Sequence, residues 1–479
     1  MTAYKFPKIW VGVIGLLFLV GLLIPAVTAQ DMMYRYDAGH SGDYSPVAGV
    51  TGTYVSLLWS KTMEDQGNFF PAGGLTTPVI VNDTVYATGV HGELLALYSA
   101  TGRERWNASI FVYRSSPAVT NGIVYVGSNN GNVYALDAAT GKQVWIYSTR
   151  GPVDTSPAVV NGIVYIAGSA KGGSPQPNQT LYALDAATGK LIWNVTISGS
   201  SDTSPCIANG DVFVSGDKGR IYAFREKSGE EIWNVTAGGG NNKWREPPSP
   251  LVKNGILYIG SNDGDGINTT LAFSIHAINS STGSQLWTFT REGQIAADPA
   301  ISQNSLYVSS DNMLYSLNAT TGVQEWNTSL SGTRLIVANG LLYFCGESGT
   351  DVLDIVNKTR FYVWDFPDNN NLGGSVTFAI GDGILYVEKF TNSEGYPGGF
   401  APSYENTIYA LDLNAGTSGV PLQPVTPAPS ITTSTTAALP ETGIDMASPL
   451  TQKIVVALGI ALLAVIIAVL VIRRRKQHK

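Results

Sequence analysis

Six charged side chains stand at a recurring point of this chain, and their types limit the chemistry it could hold. Arg114, Asp154, Asp202, Glu246 (with Arg245 beside it), Asp298 and Arg334 each fall just before a Ser-Pro-Ala-like strand start or its degenerate copy. Carboxylates there can ligate a hard cation or accept a proton, and guanidinium groups can fork onto anions. Residues that only hold a fold together repeat from unit to unit. These vary in sign and type, as a ligand or partner surface does; a solvated opening lined by arbitrary polar groups is the alternative. Lys243-Trp244-Arg245 adds a tryptophan outside the repeat beside two cations, a second candidate contact patch. His40, His91 and His276 are scattered one to a region, so neither a metal cluster nor a nucleophilic triad can be assembled from them. His91, next to Gly92 in a hairpin turn, reads as a solvated loop residue. Asn262-Asp263-Gly264-Asp265-Gly266 has calcium-loop composition but breaks the spacing after its second acid, and reads as a plain hairpin.

The elements that must position these residues come from an internal repeat. Ala135-Leu136-Asp137-Ala138-Ala139-Thr140-Gly141-Lys142-Gln143-Val144-Trp145 returns almost unchanged at Ala183–Trp193, and looser copies end at Trp106, Trp233, Trp287 and Trp326. Before each lies an Asn-Gly-x-Val-Tyr run such as Asn121–Tyr125, bounded as a strand entered through a tight turn. Each unit therefore reads as four antiparallel strands with a period of about 40–50 residues, the range of propellers. A four-stranded sheet cannot cover both of its faces alone, and radial stacking covers them. The recurring tryptophan, burying roughly 200 Å², is the expected wedge between neighbours.

Strand-start and aromatic-strand pairs occur at Pro78/Tyr86, Pro117/Tyr125, Pro157/Tyr165, Pro205/Phe213, Pro250/Tyr258, Pro299/Tyr307, Leu335/Tyr343 and Phe378/Tyr386. In the seventh copy Thr359-Arg360 replaces Thr-Gly while Trp364 is kept. The last copy, Tyr409–Asp412, reaches no tryptophan, whereas Trp59 is an orphan upstream. The N-terminal strand is therefore expected to complete the last blade. The expectation is an all-β, eight-bladed β-propeller over residues 30–416.

The Ala-x-Asp-x-x-Thr-Gly-x-x-x-Trp phrase resembles the repeat of the pyrroloquinoline-quinone-type β-propellers, and Tyr36–Pro46 resembles their opening segment. That superfamily includes quinoprotein dehydrogenases, the propeller lipoprotein of the bacterial outer-membrane assembly machine, and surface proteins without an assigned ligand. The resemblance implies fold more than function. A dehydrogenase of this family would hold pyrroloquinoline quinone and calcium in the axial funnel, with an aspartate base and typically a vicinal cysteine pair. This chain has no Cys-Cys and lacks the long roofing loops, so no catalysis and no cofactor are expected, with the quinoprotein as the alternative.

The ends bear on location. Lys5 and Lys8 precede an apolar run from Ile9 to Ile24 and a small-residue site at Val27-Thr28-Ala29, giving a signal peptide over residues 1–29; an uncleaved anchor is the alternative. Residues 454–472 are uninterruptedly apolar, long enough for a membrane helix, and the basic tail 473–479 stays cytoplasmic by positive-inside bias. Residues 417–453 are rich in Pro, Thr and Ser and read as a semi-extended stalk. Within it, Leu439-Pro440-Glu441-Thr442-Gly443 is similar to the sortase sorting motif, which implies cleavage after Thr442 and transfer to the cell wall. A chance match with the helix retained is the alternative.

Ten sequons fall in the ring: Asn82, Asn107, Asn178, Asn194, Asn234, Asn268, Asn279, Asn318, Asn327 and Asn357. Asn107, Asn194, Asn234 and Asn327 each follow a repeat tryptophan, so glycans there would stand at equivalent rim positions. Without the terminal segments the chain carries 21 Lys and Arg against 34 Asp and Glu, a net of −13, which argues against a nucleic-acid partner. Cys206 and Cys345 replace apolar strand residues and read as two separate buried thiols. The expected function is a surface-anchored binding or scaffolding module for an extracellular protein or glycan; a structural glycoprotein of the envelope is a further alternative.

Overall fold

Tight turns set each blade. Asn121 and Gly122 both take positive φ, 50° and 75°, the type I′ geometry that matches strand twist. The same left-handed pair recurs at Asn161-Gly162, Asn209-Gly210, Asn254-Gly255, Asn339-Gly340 and Asp382-Gly383. Each turn pairs the innermost strand with the aromatic strand one residue after the predicted start, as in Ala118↔Tyr125, Ala158↔Tyr165 and Ala379↔Tyr386. A second turn is built by the Asp-x-x-Thr-Gly phrase. Asp185 Oδ1 accepts from Thr188 N at 2.8 Å and from Thr188 Oγ1 at 2.6 Å, and Gly189 N closes onto Asp185 O.

The computed structural model describes residues 37–38, 40–41, 44, 54–64, 76–149, 151–169, 178–199, 203–238, 249–262, 272–311, 313–330, 332–345, 349–365, 375–393, 403–414, 420–421, 423–424 and 432–433. They form an eight-bladed propeller of four-stranded antiparallel blades. Blade 1 begins at Val79, and blade 2 runs over Ala118–Thr120, Ile123–Gly127, Asn132–Asp137 and Gln143–Ser148. Blades 3 to 7 begin at Ala158, Cys206, Leu251, Ala300 and Thr333. Blade 8 joins Ser375–Gly381, Ile384–Ser393 and Ser403–Asp412 to the N-terminal strand Tyr54–Glu64, as the orphan Trp59 requires.

The tryptophans are wedges between blades. Trp145 Nε1 donates to Ala186 O of the next blade at 2.8 Å, and its ring lies where a Cβ on Gly189 would come within 2.6 Å of Cδ2. Trp106, Trp193, Trp233 and Trp287 repeat the contact onto Gly141, Gly229, Gly283 and Gly322. Trp59 does the same across the closure: its Nε1 donates to Ser99 O at 2.7 Å and its ring meets Gly102.

The seventh copy departs from its sequence reading. Lys358 N closes onto Asp354 O, so Asn357-Lys358 fills the Thr-Gly place, not Thr359-Arg360. Lys358 takes φ 59° and lays its ammonium 4.2 Å over the Trp326 ring. Trp364 does not hold the tryptophan register. Phe361 pairs with Val352 there, because the bulge has moved to between Thr350 and Asp351 and Trp364 pairs with Thr350. Within this blade Arg360 forms a two-pronged pair with buried Asp351, both contacts at 2.9 Å.

The first residues beyond the ring double back over its outer edges. Val420-Pro421 pairs with Tyr54 and Val55 of blade 8, and Gln423-Pro424 with Phe361 and Tyr362 of blade 7. Proline is tolerated on such edges because it need not donate to the ladder. The rest of the stalk, the sorting motif Leu439–Gly443, the signal peptide, the membrane segment 454–472 and the basic tail lie outside the described residues. Among the described residues no helix is long and apolar enough to cross a membrane.

Candidate functional site

The residue before a strand-start proline is biased to extended backbone, and at Thr77, Ser116, Ser156, Ser204 and Asp298 its side chain ties one blade to the next. Ser116 Oγ accepts from Thr77 N at 2.7 Å, Ser156 Oγ from Ser116 N at 2.9 Å, and Ser204 Oγ from Ser156 N at 2.9 Å. Thr77 and Thr377 hydroxyls meet at 3.2 Å across the closure. This hydroxyl belt pairs backbone N–H groups that the inner strands cannot use among themselves.

Set against the belt, the six candidates divide. Arg114 and Asp154 stand three residues before their prolines, outside the belt. Arg114 is exposed, with its guanidinium 5.3 Å from the Tyr113 ring, and Asp154 is half-buried, accepting from Asn129 Nδ2 at 3.3 Å. Asp298 and Arg334 are not their equivalents: Asp298 stands one residue before Pro299, and Arg334 is the second residue of the strand that begins at Thr333. Asp298 replaces a belt serine, and its Oδ1 accepts from Ser249 N at 3.0 Å. Arg334 takes φ 60° at the start of the degenerate seventh blade. The residues just before the strand start thus occupy two positions with different surroundings. Asp202, Trp244, Arg245 and Glu246 lie outside the described residues.

The histidines have separate tasks. His91 is exposed in its hairpin, with its N–H on Glu93 Oε2 at 2.9 Å. His276 is buried in blade 5, Nε2 3.0 Å from Ser261 Oγ and Nδ1 3.4 Å from Thr288 Oγ1. His40 Nδ1 donates to Pro250 O at 3.0 Å. That bond belongs to a feature the repeat could not announce: the N-terminal segment runs along the inner strands of four successive blades. Ala38 O accepts from Ile207 N, Ser41 O accepts from Ile301 N, and Tyr44 N donates to Val337 O, at 2.7, 2.9 and 2.7 Å. Asp37 fixes the turn by accepting both Ser41 N and Ser41 Oγ. The wall of blades 4 to 7 is thus covered by the chain itself. Cys206 and Cys345 are separate buried thiols, and burial raises the Cys345 thiol far above its usual range.

A second missed residue is Glu388 in blade 8, sealed at 1% exposure. Burial pushes its carboxyl up to about 8, opposed by the Asn406 hydrogen bond and the Arg334 charge. Its signal was present in the sequence, as an acid two residues after the blade's tyrosine where other blades carry small side chains. A quinone with calcium would need carboxylate and amide oxygens open to the axial funnel. Among the described residues Asp154 and Asp298 are tied to their own neighbours, and Glu388 with Asn406 is closed within a seam at 1% and 3% exposure. These residues do not fit that group.

The sequons sit mostly on hairpins and outer strands. Asn107, Asn194 and Asn234 are exposed beside their wedge tryptophans, and Asn327 is half-buried. Asn279 and Asn318 occupy the aspartate place of the outer turn, accepting from Thr282 N and Thr321 N. Asn82 is an exposed turn residue with φ 53°, and Asn178 and Asn357 are exposed; Asn268 lies outside the described residues.

Comparison with known proteins agrees with this architecture. A solved structure of BamB from Moraxella catarrhalis is similar with a TM-score of 0.54 at 16% identity, covering 74% of this chain and 99% of that one. A europium-containing methanol dehydrogenase gives 0.59 at 13% identity over 80% and 98%, and quinohemoprotein alcohol dehydrogenase from Comamonas testosteroni 0.58 at 14% over 84% and 83%. At these identities the likeness is one of fold. Tetrathionate hydrolase of Acidithiobacillus ferrooxidans is 27% identical over 159 residues, 32% of this chain; the chain matches 31% of that enzyme's length. The family described as outer membrane protein assembly factor BamB, built on the pyrroloquinoline-quinone-type repeat, matches residues 45–174, 151–272 and 269–349, and the chain belongs to it.

Proposed function

We propose that the ring is a cell-surface binding or scaffolding module, without catalysis, that engages an extracellular protein or glycan at the mouth outside the hydroxyl belt. One contrast carries this reading: the belt repeats as Thr77, Ser116, Ser156 and Ser204, whereas the residues just outside it change from Arg114 to Asp154. Packing needs explain the repetition, and recognition explains the variation. Anchoring follows from the C-terminal sequence, through the apolar segment 454–472 or through sortase transfer at Thr442. The rim sequons suit a surface glycoprotein. A family description that concerns outer membrane assembly is in keeping with an envelope setting.

The test is site-specific photo-cross-linking from position 114 and position 154 in native envelopes. A discrete adduct that disappears in the Arg114→Glu/Asp154→Arg double variant, with unchanged melting temperature, is the expected result. Equal adducts from the outer-strand position 144 would reject the mouth. Stoichiometric quinone uptake with alcohol-dependent dye reduction would reject the non-catalytic reading.

A further inference from the structure

Seven blades end their aromatic strand in the same way. Two residues after the tyrosine or phenylalanine comes a small side chain, such as Gly127, Ala167, Ser215 or Ser309. Blade 8 puts Glu388 there. A residue diagonal to it on the next strand is also exceptional: Asn406, which pairs with Phe390, stands four residues before Ala410, where blades 1, 2 and 4 carry Gly92, Gly131 and Gly219. Both residues face blade 1. Asn406 Nδ2 spends its two hydrogens on Thr88 O at 2.9 Å and Glu388 Oε1 at 2.7 Å.

That leaves two oxygens. Glu388 Oε2 and Asn406 Oδ1 are buried and, among the described residues, have no hydrogen-bond partner. An unpaired buried polar atom costs about 1–3 kcal/mol and an unpaired buried charge more, so a pair of them on adjacent residues calls for a positive occupant. Arg334 is close enough for its charge to be felt at Glu388, and the ion pairs among the described residues do not include the two. The surroundings are rich in oxygen. Thr377 lies directly opposite Glu388 in the sheet, its hydroxyl meets that of Thr77, and Thr76 and Thr88 hydroxyls meet at 2.7 Å.

We propose that the seam between blades 8 and 1 is a binding site for one small monovalent cation of the sodium or potassium class, held by Glu388 Oε2 and Asn406 Oδ1. One carboxylate balances one positive charge. A divalent ion would leave an uncompensated charge in a sealed seam and would find fewer carboxylates than calcium sites use. The site lies where the ring closes, so the ion joins the last blade to the first.

The experiment is thermal unfolding of the full-length protein in sodium, potassium or choline chloride at equal ionic strength and alkaline pH. Sodium or potassium is expected to raise the midpoint above choline by an increment that grows with the logarithm of cation concentration. Glu388→Gln and Asn406→Leu should each remove that increment. As a second readout on the unaltered protein, sodium-23 NMR line broadening should be relieved by added potassium, which holds even where a variant fails to fold. Equal midpoints in all three salts, or a cation effect that survives in Glu388→Gln, would overturn the proposal. So would the infrared band of a protonated carboxyl persisting in saturating sodium and vanishing in Glu388→Gln, since a proton donated to Asn406 Oδ1 would then fill the seam.

Discussion

Gly189→Ala tests the wedge that joins the blades, because two separable costs fall on one methyl group. Gly189 sits at φ +70°, a conformation that charges an L-residue about 1–2 kcal/mol. The added Cβ would also come within 2.6–2.7 Å of Trp145 ring atoms and within 3.0 Å of Cγ. The ring is hydrogen-bonded to Ala186 O at 2.8 Å and cannot yield freely. Overpacking of that kind costs about 1–3 kcal/mol, and a displaced indole N–H about 1 more. Gly122→Ala is the matched control, since φ there is +75° and a Cβ would meet nothing within 4 Å. A ring of about 380 residues has an unfolding entropy near 0.8 kcal/mol/K, so 1 kcal/mol moves the midpoint by about 1 °C. Scanning calorimetry should therefore show a loss of about 1–2 °C for Gly122→Ala and about 4–7 °C for Gly189→Ala. Equal losses would refute the argument, because the backbone term alone would then account for both and the tryptophan would not be a wedge.

Two further outcomes follow from the belt and the seam. Asp298→Ala should cost about 1–3 kcal/mol, the range for a lost charged partner of a buried N–H, whereas Asp298→Ser, which restores the belt residue of other blades, should cost much less in urea unfolding. Glu388 binds its proton more tightly in the folded state, so stability should fall as pH rises from the ordinary carboxyl range through about 8 and level off above it. Glu388→Gln should flatten that slope, read as melting temperature against pH in choline chloride. Sodium should shallow it in the unaltered protein by favouring the carboxylate.

What could be read beforehand is what is local and repeated. Asn-Gly dipeptides dictate the inner turns, Asp-x-x-Thr-Gly dictates the outer ones, and an orphan Trp59 with a last copy lacking its own tryptophan dictates how the ring closes. The turns are short-range and the chain states each several times over, whereas the closure is read by counting. The degenerate seventh blade departs from its sequence pattern because its spacing hides a moved bulge: Lys358 takes the glycine's conformation and Phe361 the tryptophan's place, which only strand pairing reveals. Asp298 and Arg114 both precede a strand-start proline, but one residue versus three separates a belt acceptor from an exposed mouth residue.

The sequence by itself therefore determined the blade, because its turns and pairings lie within about 50 residues, and counting copies and tryptophans gave the number of blades and the strand that closes them. Tertiary structure alone decided which non-repeated residues meet. It brought His40 to Pro250 and Tyr44 to Val337, and it set Asn406 against Thr88 across 318 positions. Such contacts carry no period, since they arise where the two ends of a closed ring meet and where the N-terminal segment is bonded to the inner strands.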